Sequence, residues 1–575
     1  MLSPHWQLLP TDETTVHNLH EALGIDPLFC HLLIQRGITT YEDARQFFRP
    51  SLDGLHNPFM MQDMQVAVER LDQAVQQHER ILLYGDYDVD GTTSVALMYA
   101  FLSGFHTNLD YYLPDRDKEG YGVSLAGVEY ARETGCTLVV AMDCGIKAHV
   151  AVALAKSYGI DFIICDHHLP DGGLPDAVAN LDPKRSDCHY PYNELSGCGL
   201  AFKLAQAYAM HHNMPAEELD DLLDLVAVSI ACDIVPITGE NRTLAYFGLK
   251  RLNQSPRLGL WALLNRINRP FPLTITDVVF SLGPLINAAG RLGDARDAVR
   301  LMLSIDQHAA MDSAGRLTQR NRERRTIDHS MAEEAEQRFR ALPDWEVRKS
   351  IVLFDATWHK GVIGISASRL VETFHRPTIV LMQSGDRAVG SARSVHGFDL
   401  YAALQQCEDL FHTYGGHAHA AGMQMPIANV PAFTERFEQI VQERLTFEQE
   451  TPVMDICAKV RLDDLTTRFW RMLRQFEPFG PMNRNPVFWA ENVVDTGQSR
   501  RLDNNHVRLS LRHPDGEAIF SGIGFGIGDV FERVQGKPFD VVFNLREEQW
   551  RGERSLTLQA RDFRPYQGST RLNSI

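Results

Sequence analysis

The 575-residue sequence has no apolar run approaching the roughly 18 residues that a membrane-crossing helix needs. Met1–Pro10 lacks both a basic n-region and an apolar h-region, so no secretory signal peptide is expected. The nine cysteines include no CxxC pair and no zinc-type spacing. That excludes a thiolate zinc module and fits reduced thiols in a cytoplasm, the expected location. There is no low-complexity segment and no long internal repeat. The glycine-rich stretch from Gly522 to Gly528 lacks a following lysine and a strand–helix context, which excludes a phosphate-cradling nucleotide loop. Positive charge is short: 56 Lys and Arg against 74 Asp and Glu leave a net charge of −18. Phosphates are bound by local Lys and Arg, so any attraction to nucleic acid has to be concentrated in patches.

Such patches exist. Arg316–Arg325 is densely basic, and Arg468–Arg474 and Arg500–Arg512 interleave arginines with Phe469, Trp470 and His506. With 44 % hydrophobic and 23 % charged residues, the chain has the composition of a soluble protein able to bury sizeable cores. Its length suggests roughly three or four domains.

The most informative stretch is Ile81–Gly91. Four apolar residues run into aspartates at alternate positions, Asp86, Asp88 and Asp90, and a helical pattern follows. A buried strand would therefore present carboxylates at its carboxyl end, where open α/β sheets place their sites. Alone, the motif reads more readily as a solvated acidic turn. Its recurrence favours a metal centre. Thr137–Met142 runs into Asp143-Cys144-Gly145, Asp161–Cys165 into Asp166-His167-His168, and the helical stretch Asp220–Ala231 into Asp233. Clustered carboxylates repel one another unless a proton or cation intervenes. Carboxylates with one imidazole suit manganese or magnesium better than zinc. Cys144, Cys165 and Cys232 adjoin these acids, but neighbouring strand residues point to opposite faces, so Cys165 is expected in the core.

Strand candidates spaced about 25 residues apart, with helical stretches between them, predict a parallel α/β sheet. Residues 1–50 read as a helical lead-in, 51–303 as the catalytic α/β domain, and 304–345 as a long connecting helix. Residues 346–448 read as a second α/β lobe. Short β-runs from 449 to 575 fit an OB-type barrel suited to base stacking and phosphate contact. Ser281–Asp294 carries Asn287 and Arg291 and reads either as a phosphate-facing glycine-rich segment or as a tight turn. In the second lobe, Ser391 and Arg393 could hold a phosphate. His417 and His419 lie in a glycine-rich run, Gly415–Gly422, with no third soft ligand at zinc spacing.

Taken in order, these motifs resemble the DHH phosphoesterase superfamily, whose Asp-His-His signature is Asp166-His167-His168. The resemblance covers nearly the whole chain. It implies that Asp88, Asp90, Asp143, His167 and Asp233 hold two divalent ions, manganese or magnesium, with Asp143 bridging. It further implies supporting roles for Asp86 and Asp166, contact of His168 with the scissile phosphate, and phosphate or DNA contacts from Arg116, Asn287, Arg291, Ser391, Arg393, His417 and His419. Many relatives have a histidine where this sequence has Tyr84, which implies unequal binding of the two ions. With the C-terminal barrel, the resemblance implies a 5′→3′ exonuclease on single-stranded DNA that releases 5′-mononucleotides in repair and recombination. The partners so implied are a single-strand-binding protein and a RecQ-type helicase, with no membrane. Two alternatives are a small-substrate phosphoesterase, which has no need of the barrel, and a silent nucleic-acid-binding relative, which would have lost its ligands.

Overall fold

A computed structural model of the protein describes residues 4–550 and 553–568. They form two compact units. One holds Leu55–Val235 and Gly239–Pro452, and the other holds Pro4–Gly54, Pro236–Thr238 and the chain from Val453 onward.

The first unit begins with five parallel strands: β1 (Ile81–Gly85), β2 (Leu109–Tyr112), β3 (Leu138–Met142), β4 (Asp161–Cys165) and β5 (Ala179–Leu181). Their spatial order is β2-β1-β3-β4-β5. The two central strands, β1 and β3, are buried throughout, as expected for apolar runs covered on both faces. The chain adds β2 on one side of β1 and β3 on the other, so the topological switch lies between β1 and β3. A crevice at the carboxyl ends of strands is expected there. Asp86 leaves β1 and Asp143 leaves β3, one on each side of that crevice.

Helix α1 (Val89–Leu102) starts directly from the acidic loop, followed by α2 (Gly197–His211) and α3 (Leu223–Cys232). A π-helical turn, Val278–Leu282, leads into α4 (Gly283–Leu292). This corrects the tight-turn reading of Ser281–Asp294. Leu285, Ile286, Ala288 and Ala289 bury one helical face, and two glycines permit close approach. A Cβ on Gly290 would lie 2.4 Å from the Tyr87 carbonyl oxygen, and one on Gly283 would lie 2.7 Å from Cys232 Sγ. Glycine here serves a flat helix-on-loop contact rather than a turn.

Helix α5 (Gln307–Arg340) spans 34 residues. Its end is tied to the second lobe by a core of Met331, Ala335, Phe339, Ile351, Trp358 and Leu370, and by the buried Asp328, 2.9 Å from Arg369. That lobe carries β6 (Ile351–Asp355), α6 (Ile363–Phe374), β7 (Thr378–Ser384), β8 (Arg387–Arg393), β9 (Thr413–His417) and β10 (Ala420–Pro426). Its sheet order is β9-β10-β8-β7-β6, with only β6 and β7 parallel.

The second unit centres on a closed barrel of β11 (Phe488–Asp495), β12 (Val507–Arg512), β13 (Phe520–Gly524), β14 (Phe539–Trp550) and β15 (Glu553–Pro565). The pairings run β11-β14-β15-β13-β12, and a second pairing of β11 with β12 closes the ring. The lead-in is not a separate body. Its strand His5–Leu8 pairs in parallel with Val453–Ile456, and Val16, Leu19, Phe29 and Leu33 share one core with Phe476, Phe488 and Phe543. The first helices are too short to bury their apolar faces alone. Phe469, from the basic stretch Arg468–Arg474, packs its ring 5.1 Å from Phe29 and 5.7 Å from Phe488 against the barrel core. Arg501 is not free for phosphate, being ion-paired with Asp529 and Glu532.

Candidate active site

The acidic loop is organised by helix starts. Asp88 caps α1, its Oδ1 accepting the backbone N–H groups of Asp90 at 2.8 Å and Gly91 at 3.1 Å. Asp90 reaches the start of α2. Its Oδ2 accepts from the Gly197 N–H at 2.6 Å, and its Oδ1 accepts from the Cys198 N–H at 2.8 Å and the Ser229 hydroxyl at 2.6 Å. A helix amino terminus favours an anion, and these three bonds fix the buried carboxylate in place. Asp143 sits in a left-handed conformation, φ 59°, which turns the chain sharply as it leaves β3. The turn is crowded, for a Cβ on Gly197 would lie 2.5 Å from Asp143 Cβ.

His167 is the centre of the group. Its Nε2 lies 3.2 Å from Asp143 Oδ1, 3.6 Å from Asp233 Oδ2 and 3.7 Å from Asp90 Oδ2. Burial pushes the imidazole down to about 4, so at neutral pH it is uncharged. An uncharged ring nitrogen facing three carboxylates is a metal-ligand arrangement rather than an ion pair. Asp233 Oδ2 is buried without a hydrogen-bond partner. Burial and then mutual repulsion push Asp143 and Asp233 well above the usual carboxylate range; Asp86 and Asp88 are raised for the same reasons. These donors fit a pair of divalent cations: they are oxygen-rich, have one imidazole and offer no thiolate. Of the neighbouring cysteines Cys144 and Cys165 are buried and Cys232 is half-buried, and desolvation raises all three thiols.

Asp166 is spent on support. Its Oδ2 accepts from the Ile146 N–H at 2.9 Å, and its Oδ1 accepts from the His167 N–H at 2.8 Å and meets His168 Nδ1 at 2.7 Å. Burial disfavours charge on His168, but the Asp166 contact outweighs it and raises the ring above its ordinary value. Asp86 is buried, and burial and then the nearby Asp88 raise its carboxyl. Tyr84 contributes no ligand atom. Its ring stacks on Tyr112 within the core, and its hydroxyl donates to the Gly122 carbonyl and accepts from the Ser124 N–H, both at 3.1 Å.

Across the crevice lies a cluster of cations. Arg291 donates to the Gly361 carbonyl of the second lobe at 2.9 Å. Burial, then the neighbouring Arg116 and Arg324, bring it down to about 10, still protonated at neutral pH. Arg116 stacks 5.0 Å from the Tyr87 ring. Arg393 is lowered by burial and by Arg116, and its Nη1 donates to Ser391 Oγ at 3.1 Å. A Cβ on Gly364 would lie 2.9 Å from Ser391 Oγ and 3.0 Å from Arg393 Nη2, so this pair faces the first turn of α6. Half-buried like charges beside a helix amino terminus suit an anion. Asn287 lines the same crevice with Arg291 and Arg324. His417 and His419 are exposed on the β9–β10 turn, where Ala420 pairs with Arg393.

Several residues at this site carry no motif. Tyr121 donates to the Asp143 carbonyl at 2.9 Å and sits 3.2 Å from both ring nitrogens of His168. Ser229 and the Gly197–Cys198 amides grip Asp90. Arg324 was hidden in a basic run, and Asp182, following the three-residue β5, is buried and pushed up to about 7 by its burial. For Asp182 the available signal was an acid after a short apolar run.

The geometry agrees with the comparisons. Residues 80–230 match the DHH family N-terminal domain, 348–443 the DHHA1 domain and 456–562 the RecJ OB domain. The chain is 36 % identical over 562 residues to the single-stranded-DNA-specific exonuclease RecJ of Bacillus subtilis, spanning 97 % of this chain and 70 % of that one. It is 33 % identical to the RecJ of Salmonella typhimurium, spanning 94 % and 96 %. The crystal structure of RecJ in complex with Mn2+ from Thermus thermophilus superposes with a TM-score of 0.84 at 28 % identity, covering 97 % of this chain and 79 % of that one. A metal-compatible cluster at the switch point of a DHH sheet, a DHHA1 lobe, a RecJ OB barrel and identity along nearly the full length converge on one assignment: the chain belongs to the RecJ family of single-stranded-DNA-specific exonucleases.

Proposed function

We propose that this chain degrades single-stranded DNA from the 5′ end, releasing 5′-mononucleotides by metal-dependent phosphodiester hydrolysis. The observation that carries the proposal is the convergence of Asp90, Asp143 and Asp233 on His167 Nε2, across a crevice from Arg116, Arg291 and Arg393. Asp88, Asp90, Asp143, His167 and Asp233 would hold manganese or magnesium, which when bound supplies Lewis acidity and lowers the pKa of a water.

The protein's own groups do the rest. The Gly197 and Cys198 amides hold Asp90 in place. Asp166 holds His168 through Nδ1 and raises the ring above its ordinary value, which favours an Nε2–H donor toward a phosphate oxygen. Arg291, half-buried at the crevice, offsets charge that develops on the phosphoryl oxygens. Ser391, Arg393 and the start of α6 bind the terminal 5′-phosphate, which fixes which end of the strand enters. A role in DNA repair and recombination, a cytoplasmic location, and partnership with a single-strand-binding protein and a RecQ-type helicase belong to the same proposal as family expectations. Among the described residues, no helix is long and apolar enough to cross a membrane.

The test uses a single-stranded oligonucleotide labelled at its 3′ end, incubated with manganese and separately with EDTA. A ladder of shortening labelled fragments, abolished by EDTA, is expected. Immediate release of labelled mononucleotide would mean attack from the other end and would overturn the polarity. No cleavage with a retained complex would favour a silent binding protein.

A further inference from the structure

Helix α4 behaves as a ruler laid across the metal centre. Gly290 presses it onto the Tyr87 carbonyl of the acidic loop, and Gly283 presses it onto Cys232, the residue before Asp233. Its position relative to the ligands is therefore fixed at two points. The π-helical turn carrying Phe280 leads into a face of α4 that carries Gly283, Pro284, Asn287 and Arg291, the last three at offsets of 1, 4 and 8 residues from the first. The last four of these, with Cys232 and Arg324, line a cavity of about 130 Å³ beside the metal centre.

Phe280 precedes that face and is 76 % exposed, although its neighbours Val278 and Leu282 are fully buried. It lies within the π-helical turn Val278–Leu282. Such turns are rare and concentrate at functional sites, because the extra residue re-phases side chains against the helix that follows. A lone exposed apolar residue is ordinary. An exposed phenyl ring held out by two buried anchors, in the turn that leads into the helix of Asn287 and Arg291, is not.

We propose that Phe280 is a stacking platform for one base of the single strand whose phosphate lies near Arg291. This rests on the proposed function above. With about 1.5 Å of rise per residue, Phe280 stands about 16 Å from Arg291 along the axis. At about 3.4 Å per stacked nucleotide, that span holds no more than about five nucleotides. An aromatic face accepts any base, so the contact adds affinity without sequence preference.

The experiment compares wild type, F280A, F280L and F280W on a dinucleotide, which is too short to reach the ring, and on a 12-nucleotide strand. A parallel series of 12-mers carries one abasic position moved stepwise from the 5′ end. Removing a stacking aromatic is expected to raise the KM for the 12-mer about five- to hundredfold. F280L should lose as much as F280A, and F280W should retain wild-type affinity. With wild type, a single abasic position within the first five or six nucleotides should reproduce the loss, and F280A should be indifferent to it. Unchanged F280A affinity for the 12-mer overturns the inference. So does an equal loss on the dinucleotide, which would mean a disturbed metal centre, and so does full rescue by leucine, which would mean packing rather than stacking. Wild-type protein that neither binds nor cuts the 12-mer overturns the proposed function itself, and this inference with it.

Discussion

Asp90 begins one helix and caps another. It lies in the first turn of α1, yet its carboxylate accepts the Gly197 N–H, the first amide of α2, at 2.6 Å. The two helices that frame the crevice are thus pinned through a residue that also faces His167 Nε2 at 3.7 Å. Fold and metal site share one side chain.

Gly197 should consequently be intolerant of any side chain. A Cβ there would lie 2.5 Å from Asp143 Cβ and 2.9 Å from its Cα, so the main chain of Asp143 has to move. G197A is expected to cut turnover about a hundredfold, the scale of an ångström-level misplacement of a catalytic group, and to weaken manganese binding. Turnover and manganese titration of the same preparation check this. Turnover within threefold of wild type would show that the crowding is absorbed elsewhere.

Asp143→Asn separates stability from catalysis. Buried among Asp88, Asp90 and Asp233, Asp143 is raised well above the usual carboxylate range. A carboxyl whose folded pKa exceeds its unfolded value near 4 binds protons more tightly in the native state, so the metal-free protein loses stability as pH rises from about 4 toward that raised value. The asparagine variant removes one such group. At pH 8 without metal it should melt no lower than wild type. Wild type should gain about 2.7 kcal/mol from manganese at a hundred times its Kd, and the variant should gain little of this. Cleavage should fall below detection. Retained turnover would remove Asp143 as a ligand.

Because the same carboxyls are raised and hold protons that a metal displaces, manganese affinity should rise as pH climbs above the ordinary carboxylate range, and binding should release protons. Calorimetry in buffers of differing ionisation heat measures the number released. A heat independent of buffer would mean that the ligands are already ionised.

Tyr121 joins the Asp143 carbonyl to the His168 ring through one hydroxyl. Y121F keeps the ring and removes those bonds. A loss of about 1 to 1.5 kcal/mol predicts turnover lowered about five- to tenfold, with manganese affinity and KM unchanged. A shift in KM alone would place Tyr121 in substrate binding instead.

Arg393 tests the end pocket. R393A should weaken binding of 5′-phosphorylated strands about ten- to hundredfold and leave 5′-hydroxyl strands nearly unaffected, as expected for a lost charged hydrogen bond. An unchanged preference between the two ends would discard Ser391 and Arg393 as the terminal-phosphate site.

Much of this was legible in the sequence for a physical reason. A strand buried on both faces has to be a continuous apolar run, and an acid directly after it has to emerge at the sheet's edge. Asp86, Asp143 and the Asp166–His168 motif could be placed that way, and the barrel followed from short β-runs alone. Local pattern also marked Arg291 and Arg393 as cations near glycine.

Only the tertiary structure could decide what those residues meet. Asp90 faces Gly197 across more than a hundred residues of chain, and Tyr121 finds His168 only because loop and strand converge. A glycine-rich segment that looked like a turn became α4, because its glycines answer to Tyr87 and Cys232 rather than to their own backbone. The lead-in joined the barrel because short helices need a distant core to cover their apolar faces. Periodicity and composition report what a segment must bury. Which partner buries it, and hence which donors converge on His167 Nε2, is settled by long-range packing.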